Sequence, residues 1–499
     1  TASVGEEVSG LHLHTRTIQV FINSVLLALV VTAMSTLIAV PLAFMTVRTN
    51  LPGRRFWSVA TLLPLVIPTY VGSFVIIAAL GPRGSILQNW LATFGIERIP
   101  SIYGWSGTVL VLTLFTYPYI LLTVRASLHN LDPALEEASQ SLGYNRLKSF
   151  FRVTLPHLYP SIAAGGLLVA LYTLSDFGTP SLMRFDSFTR VIYIQYQSTF
   201  DRSMAAVLAL LLVLVAVIIL FLEYRARGKI RYYSTSAGSK RQARTIELGR
   251  WRWIALIFCV IVVGLALIMP LGVIAYWLIR GLSAGESFMP VGQLVLNSVY
   301  VSGFAAFMVI PAALPVALLA VRYSSLFSNL VERSTYIGFA MPGIVVALAL
   351  VFFGANYATI FYQSMVMLIF AYVVLFIPQA VGTLRSSLLQ LNPRIEEAAR
   401  SLGYGPWQTM RLVTVPMVRT GLLTGVALVF LTTMKELPAT LLLAPTGFST
   451  LATRIWSATN DAFFTQAAAL ALVLIAVTAL SMTIILSEEQ QSKRKLSNR

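Results

Sequence analysis

Three ionisable residues stand where such residues are costly. Asp176 follows the run GGLLVALYTLS, and Lys435 with Glu436 follows TGVALVFLTTM. A charge held among residues apolar enough for hydrocarbon costs at least ~2.5 kcal/mol, so such groups face a cavity or a partner and mark a path for polar cargo. Carboxylate oxygens suit a hard cation, which makes Asp176 and Glu436 candidate ligands of a metal ion in transit. Asp176, Lys435 and Glu436 together are candidate lining for a translocation path. The plainer alternative pairs Lys435 with one acid and lets the other reach the far interface. Gly178, Pro180 and Pro438 lie just beyond the acids and are expected to interrupt the helices there, freeing backbone groups beside the carboxylates.

Asp176 and Glu436 are 260 positions apart, and so are the halves of a second pattern. Residues 136 to 144 read EEASQSLGY and residues 396 to 404 read EEAARSLGY. Asp132 before Pro133, and Asn392 before Pro393, are helix starts: the side chain caps free amides, and proline at the first helical position loses no hydrogen bond. Glu136 and Glu137, with Glu396 and Glu397, then sit near the positive end of a helix dipole, where each carboxylate is favoured by ~0.3 to 1 kcal/mol. Gly143 and Gly403 end the helices in the left-handed conformation that other residues resist. A second short helix is expected from about Arg146 to Leu155, until Pro156 opens the next span, and Pro416 repeats that arrangement. Leu135, Ala138 and Leu142 recur at helical spacing and form a small knob suited to a partner's groove.

These sites need elements to carry them. The 499 residues are 57% hydrophobic and 11% charged, with a mean hydropathy of +0.78, which places the chain in a bilayer. Its long runs are uniformly apolar rather than alternating, which excludes a barrel and predicts an all-α, polytopic transmembrane bundle. Spans are expected near 18–47, 57–80, 105–124, 156–183 and 204–222, then near 253–279, 294–321, 335–354, 361–384, 416–443 and 464–487. Five spans thus precede six. The repeat shifts register toward the start of each half, where Asn23, Arg48 and Pro68 match Asn297, Arg322 and Pro342, so about fourteen extra residues lie between Pro68 and Pro118. The resulting organisation is a first half at 1–224 with its loop near 125–156, a basic linker at 225–252, and a second half at 253–499 with its loop near 385–416. A counterpart of the 253–279 span is expected upstream of Thr1. The two halves are expected to pack as a parallel, pseudo-twofold pair.

A net charge of +17 does not point to nucleic acid, because the basic residues fall in short loops between apolar runs and read as topology signals. The densest group, Arg225 to Arg252 with the single acid Glu247, should lie over anionic lipid on the cytoplasmic side, and both EEA loops fall on that side. The lone cysteine, Cys259, lies in an apolar run and excludes disulfides. His12 and His14 form an H-x-H pair whose ordinary reading is a solvated loop.

The loops resemble those of the binding-protein-dependent permeases of ATP-binding-cassette importers, whose pattern is E-A-A, three residues, G, nine residues, I-x-L-P. Here it stands as Glu137-Ala138-Ser139, Gly143 and Val153-Thr154-Leu155-Pro156, then as Glu397-Ala398-Ala399, Gly403 and Val413-Thr414-Val415-Pro416. The resemblance implies six spans per half and a multi-pass protein of the bacterial cytoplasmic membrane. Its partners would be two copies of a cytoplasmic ATPase seated on the loops and a substrate-binding protein outside. The chain lacks a G-x-x-x-x-G-K-[ST] loop, so ATP and magnesium belong to the ATPase. No catalytic residues and no tightly bound cofactor are expected. The stretch from Gly403 to Trp456, with KELPATLLLAPTGFSTLATRIW, is similar to the fused ferric iron permeases, making ferric iron the implied cargo. Thiamine and polyamine importers are the alternatives, followed by a secondary transporter and a non-transporting channel or scaffold.

Overall fold

The computed structural model describes all residues except 1, 97–98, 132, 198–201, 228–244, 287–289, 324 and 498–499. Most of the basic linker, including its densest charge, lies outside the described residues, as does Asp132. The side chains of His12 and His14 are also outside those described. The regular elements among the described residues are all helices, with a single isolated backbone bridge between Thr49 and Ile246.

Among the described residues seven helices are long and apolar enough to cross a membrane, two further pairs qualify as bent spans, and two shorter apolar helices lie at Gly343–Asn356 and Phe464–Leu480. Each expected span has a helix at its place, but several are not straight. In the first half the elements that matter are α1 (Ala2–Arg48), α2 (Thr69–Leu80), α3 (Trp105–Asn130), α4 (Pro133–Ser141), α5 (Leu155–Ser175) and α6 (Gly178–Leu182). Their mates in the second half are α7 (Val291–Arg322), α8 (Gly343–Asn356), α9 (Met365–Gln390), α10 (Pro393–Ser401), α11 (Arg419–Met434) and α12 (Pro438–Leu443).

The expected span at 57–80 is two pieces, Arg54–Val66 and α2, bent by 95°. Pro68 causes the break. A residue before proline is driven from the helical to the extended region, and Ile67 sits at φ −83°, ψ 119°. Met341 before Pro342 repeats this at φ −83°, ψ 124°, so the expected 335–354 span is likewise divided, into Leu326–Ala340 and α8. Short α2 is buried on every side from Thr69 to Ala79, as its uniformly apolar sequence requires.

α1, α3 and α5 pack on one another, and α7, α9 and α11 do the same. Small residues set the approach. A Cβ on Gly165 of α5 would lie 2.5 Å from Thr123 Oγ1 and 2.7 Å from the Cα of Ile120, both on α3. Its mate Gly425 would meet Thr383 Oγ1 at 2.7 Å. Close backbone contact of this kind is what holds helices together where lipid removes the hydrophobic drive.

Three further features refine the expected outline. The polar opening stretch is helical and continuous with the first span, from Ala2 to Arg48. The extra residues of the first half contain a helix of their own, Ile86–Ala92, capped by Ser85. The short helix expected at Arg146–Leu155 is not separate: a π turn at Phe150–Thr154 joins it directly to α5, and Met410–Thr414 repeats the turn. Pro156 and Pro416 explain it, since neither can donate the N–H that an α-helix would send four residues back. The widened turn instead closes with Leu155 N–H on Phe150 and Val415 N–H on Met410.

The chain divides into compact units at Thr1–Ile279 and Arg280–Arg499. The sequence repeat assigns 253–279 to the second half, whereas in space the start of this segment packs against α1 and the π turn Gly264–Ile268 against α3.

Candidate functional site

The loop helices α4 and α10 each follow a span, and their ends are built as the sequence predicts. Asn392 caps α10, its Oδ1 accepting the N–H of Arg394 at 3.1 Å. Gly143 and Gly403 turn left-handed at φ 85° and 90°. The N–H of Tyr144 reaches back to Ser139 O, and that of Tyr404 to Ala399 O, both at 3.2 Å. That closure satisfies carbonyls the helix end would leave bare.

The helices present two distinct faces. Leu135, Ala138 and Leu142 are all exposed, Leu142 by 80%, and in the mate Ile395, Ala398 and Leu402 are exposed, Leu402 by 79%. The expected knob exists in both copies. The second-half loop extends it with exposed Trp407, which the repeat did not single out because the matching residue of the first half is Leu147 rather than a second tryptophan.

The opposite face is polar and turned inward. The paired acids separate: Glu137 and Glu397 face out, while Glu136 is half-buried and Glu396 is buried to 8% exposure. Glu136 Oε1 accepts the hydroxyl of Thr154 at 2.8 Å, and Glu396 Oε1 accepts that of Thr414 at 3.0 Å. Ser139, also buried, is hydrogen-bonded to Ser149. The first acid of each pair therefore ties its loop helix to the π turn that opens the next span. Pro156 and Pro416 shape that same turn.

The intramembrane acids lie at helix breaks, as expected. Helix α5 stops at Ser175 and α6 resumes at Gly178; α11 stops at Met434 and α12 resumes at Pro438. Asp176 Oδ1 accepts the hydroxyl of Thr69, first residue of α2, at 2.8 Å, and Oδ2 accepts the N–H of Thr179 at 3.0 Å. Glu436 Oε1 accepts the N–H of Ala439 at 3.0 Å, and Oε2 accepts both the N–H and the hydroxyl of Thr440 at 3.1 and 3.0 Å. A Cβ on Gly343, first residue of α8, would lie 2.9 Å from Glu436 Oε1. Each acid thus sits against the N-terminus of a half-helix, where the dipole and free amides favour negative charge. Backbone N–H groups thus supply part of the positive potential that these carboxylates need in apolar surroundings. Lys435 caps the end of α11 and is half-buried. Among the described residues no three His, Cys, Asp or Glu side chains converge as a metal site.

The model of binding-protein-dependent transport system inner membrane components matches residues 20–232 and again 309–488. The chain belongs to this family. Its tandem match is the duplication seen in α1 to α6 and α7 to α12, and it makes the protein a multi-pass component of the inner membrane that works with a binding protein. The Fe(3+)-transport system permease protein FbpB 2 of Haemophilus influenzae is 34% identical over 93% of this chain and 88% of its own length. The ferric transport system permease protein FbpB of Actinobacillus pleuropneumoniae is 23% identical over 94% of this chain and 70% of its own. The molybdenum transport system permease protein ModB of Escherichia coli is 32% identical over 31% of this chain and 69% of its own.

Proposed function

We propose that this chain is the permease of an ATP-binding-cassette importer for ferric iron, with the coupling helices α4 and α10 each receiving one copy of a separate ATPase. The observation that carries the reading is the pair of loop helices, each offering an exposed leucine knob and held from behind by an inward-facing glutamate. ATP and magnesium are held by the ATPase, and this chain contributes shape and motion rather than catalysis. Two relatives that span most of this chain are named for ferric transport, which favours iron over thiamine or polyamine cargo. Asp176 and Glu436 are proposed to border the path of the ion in their respective halves. Every carboxylate oxygen already accepts a hydrogen bond, from backbone N–H groups or from the hydroxyls of Thr69 and Thr440, so they interact with the passing cation through charge more than as fixed ligands. Weak contact suits a transporter, which must release what it admits.

Vesicles containing the chain with its ATPase, supplied with the binding protein, test this directly. Iron should accumulate only with ferric-loaded binding protein outside and ATP on the ATPase side, and excess thiamine or spermidine should not compete. Accumulation of either competitor in place of iron would overturn the cargo assignment.

A further inference from the structure

Behind each coupling helix sits an arginine that the repeat places at equivalent positions. Arg48 is the last residue of α1 and Arg322 the last of α7. Arg48 is only 2% exposed. Its Nη2 donates to Leu131 O, at the end of α3, at 3.3 Å and lies 3.8 Å from Glu136 Oε1. Arg322 repeats every contact: Nη2 donates to Leu391 O, at the end of α9, at 3.3 Å and to Glu396 Oε1 at 3.3 Å, while Nε lies 3.1 Å from Glu396 Oε2. With Thr154 and Thr414 on the same carboxylates, each arginine–glutamate pair joins four elements: the end of one span, the end of a second, the coupling helix, and the turn opening a third.

A buried ion pair is poor evidence for stability, because desolvation offsets the attraction, and apolar residues of similar size often serve as well. Its presence at the same place in both halves calls for another use. A guanidinium fork offers its donors in fixed directions, and here Nη2 of each arginine is bonded to the carbonyl ending a neighbouring span, in Arg322 to the Glu396 carboxylate as well, while Arg48 holds Glu136 by charge.

We propose that Arg48 and Arg322 are positioning residues of energy coupling, carrying displacement of α4 and α10 to the cytoplasmic ends of α1 and α7. This rests on the reading that α4 and α10 receive the ATPase. The two links are unequal. The first is longer, and the backbone of the linker braces it: Ile246 N–H donates to Arg48 O at 2.8 Å, and Asn50 N–H to Ile246 O at 3.1 Å. The second half carries the tighter pair, so its loss should uncouple more.

The test is the ratio of ATP hydrolysed to cargo imported in vesicles holding chain, ATPase and binding protein. Arg322→Met should keep parental ATPase copurification and raise the ratio about tenfold, within the range of ordinary coupling energies. Arg48→Met should raise it less, and Arg322→Lys, which keeps charge without the fork, should fall between parent and Arg322→Met. Arg322→Met paired with Glu396→Met leaves no uncompensated charge and guards against misfolding. A parental ratio in either assembled form that carries Arg322→Met overturns the proposal. If neither assembles, Arg322→Lys decides: a raised ratio supports the proposal and a parental ratio overturns it. Parental vesicles that move no iron would refute the cargo reading alone, and the ratio is then measured with the cargo they do move.

Discussion

Thr69 donates its hydroxyl to Asp176 at 2.8 Å, across 107 residues of chain. The bond joins the start of the half-helix made by Pro68 to the break between α5 and α6, and with the Thr179 N–H on its other oxygen Asp176 is a structural cap as well as a charge. Substitution can separate the two roles. Asparagine caps about as well as aspartate, whereas alanine costs ~1 kcal/mol at such a site. Asp176→Asn should therefore melt in detergent within a degree or two of the parent yet import iron more slowly, while Asp176→Ala should lose both. Parental import by Asp176→Asn would leave the acid a cap alone.

The close approach of α5 to α3 predicts an asymmetry between mates. At Gly165 an added methyl meets the Cα of Ile120 at 2.7 Å, and backbone cannot step aside. At Gly425 the nearest backbone atom, the Cα of Ala380, is 3.5 Å away, and only the Thr383 hydroxyl must turn. Overpacking costs ~1 to 3 kcal/mol, against a helix-propensity gain of up to ~1 kcal/mol for alanine over glycine. Gly165→Ala should lower the melting temperature and Gly425→Ala should leave it nearly unchanged. Equal shifts would contradict the packing described.

Much of this was legible in the sequence because it rests on local rules. Pro133, Gly143 and their mates fix the ends of α4 and α10, and the doubled spacing identifies the loops. The inward face was less legible. Which of Glu136 and Glu137 turns in depends on Thr154, eighteen residues away, and no periodicity in a nine-residue helix distinguishes them. A usable signal was present: Arg48, Thr154 and their mates are polar residues kept in both halves of the duplication. The breaks at Pro68 and Pro342 were missed because apolar composition continues unbroken through them, and a hydropathy run records length without direction.

Topology is testable through the same loops. In a chain with Cys259 replaced, cysteines at Ser141 and Ser401 should react with an impermeant maleimide only from the cytoplasmic side. Cysteines at Ser101 and Ser283 should react only from outside. All four positions are exposed. Opposite sidedness of Ser141 and Ser401 would make the repeats inverted and exclude two equivalent ATPase sites.

Gly143 and Gly403 adopt φ of 85° and 90° with open space where a side chain would go. The Cβ of a valine there meets no neighbour, so the cost expected lies in the left-handed backbone, ~1 to 2 kcal/mol. The Gly143→Val, Gly403→Val chain should reach the membrane in parental amount but bind ATPase more weakly, read as a higher concentration for half-maximal hydrolysis. An unchanged concentration would mean that the helix ends tolerate the strain without moving the knob.

The most direct measurement of the central claim is the mass of the purified complex beside its iron import. Leu142 and Leu402 are among the most exposed leucines of the chain, so Leu142→Asp with Leu402→Asp leaves the fold intact while placing charge on both knobs. The parent should carry two ATPase copies per chain and import iron with ATP. The double variant should carry none and import none. Two ATPase copies on the variant, with iron import at the parental rate, would contradict the assignment of α4 and α10 as the helices through which ATP drives transport.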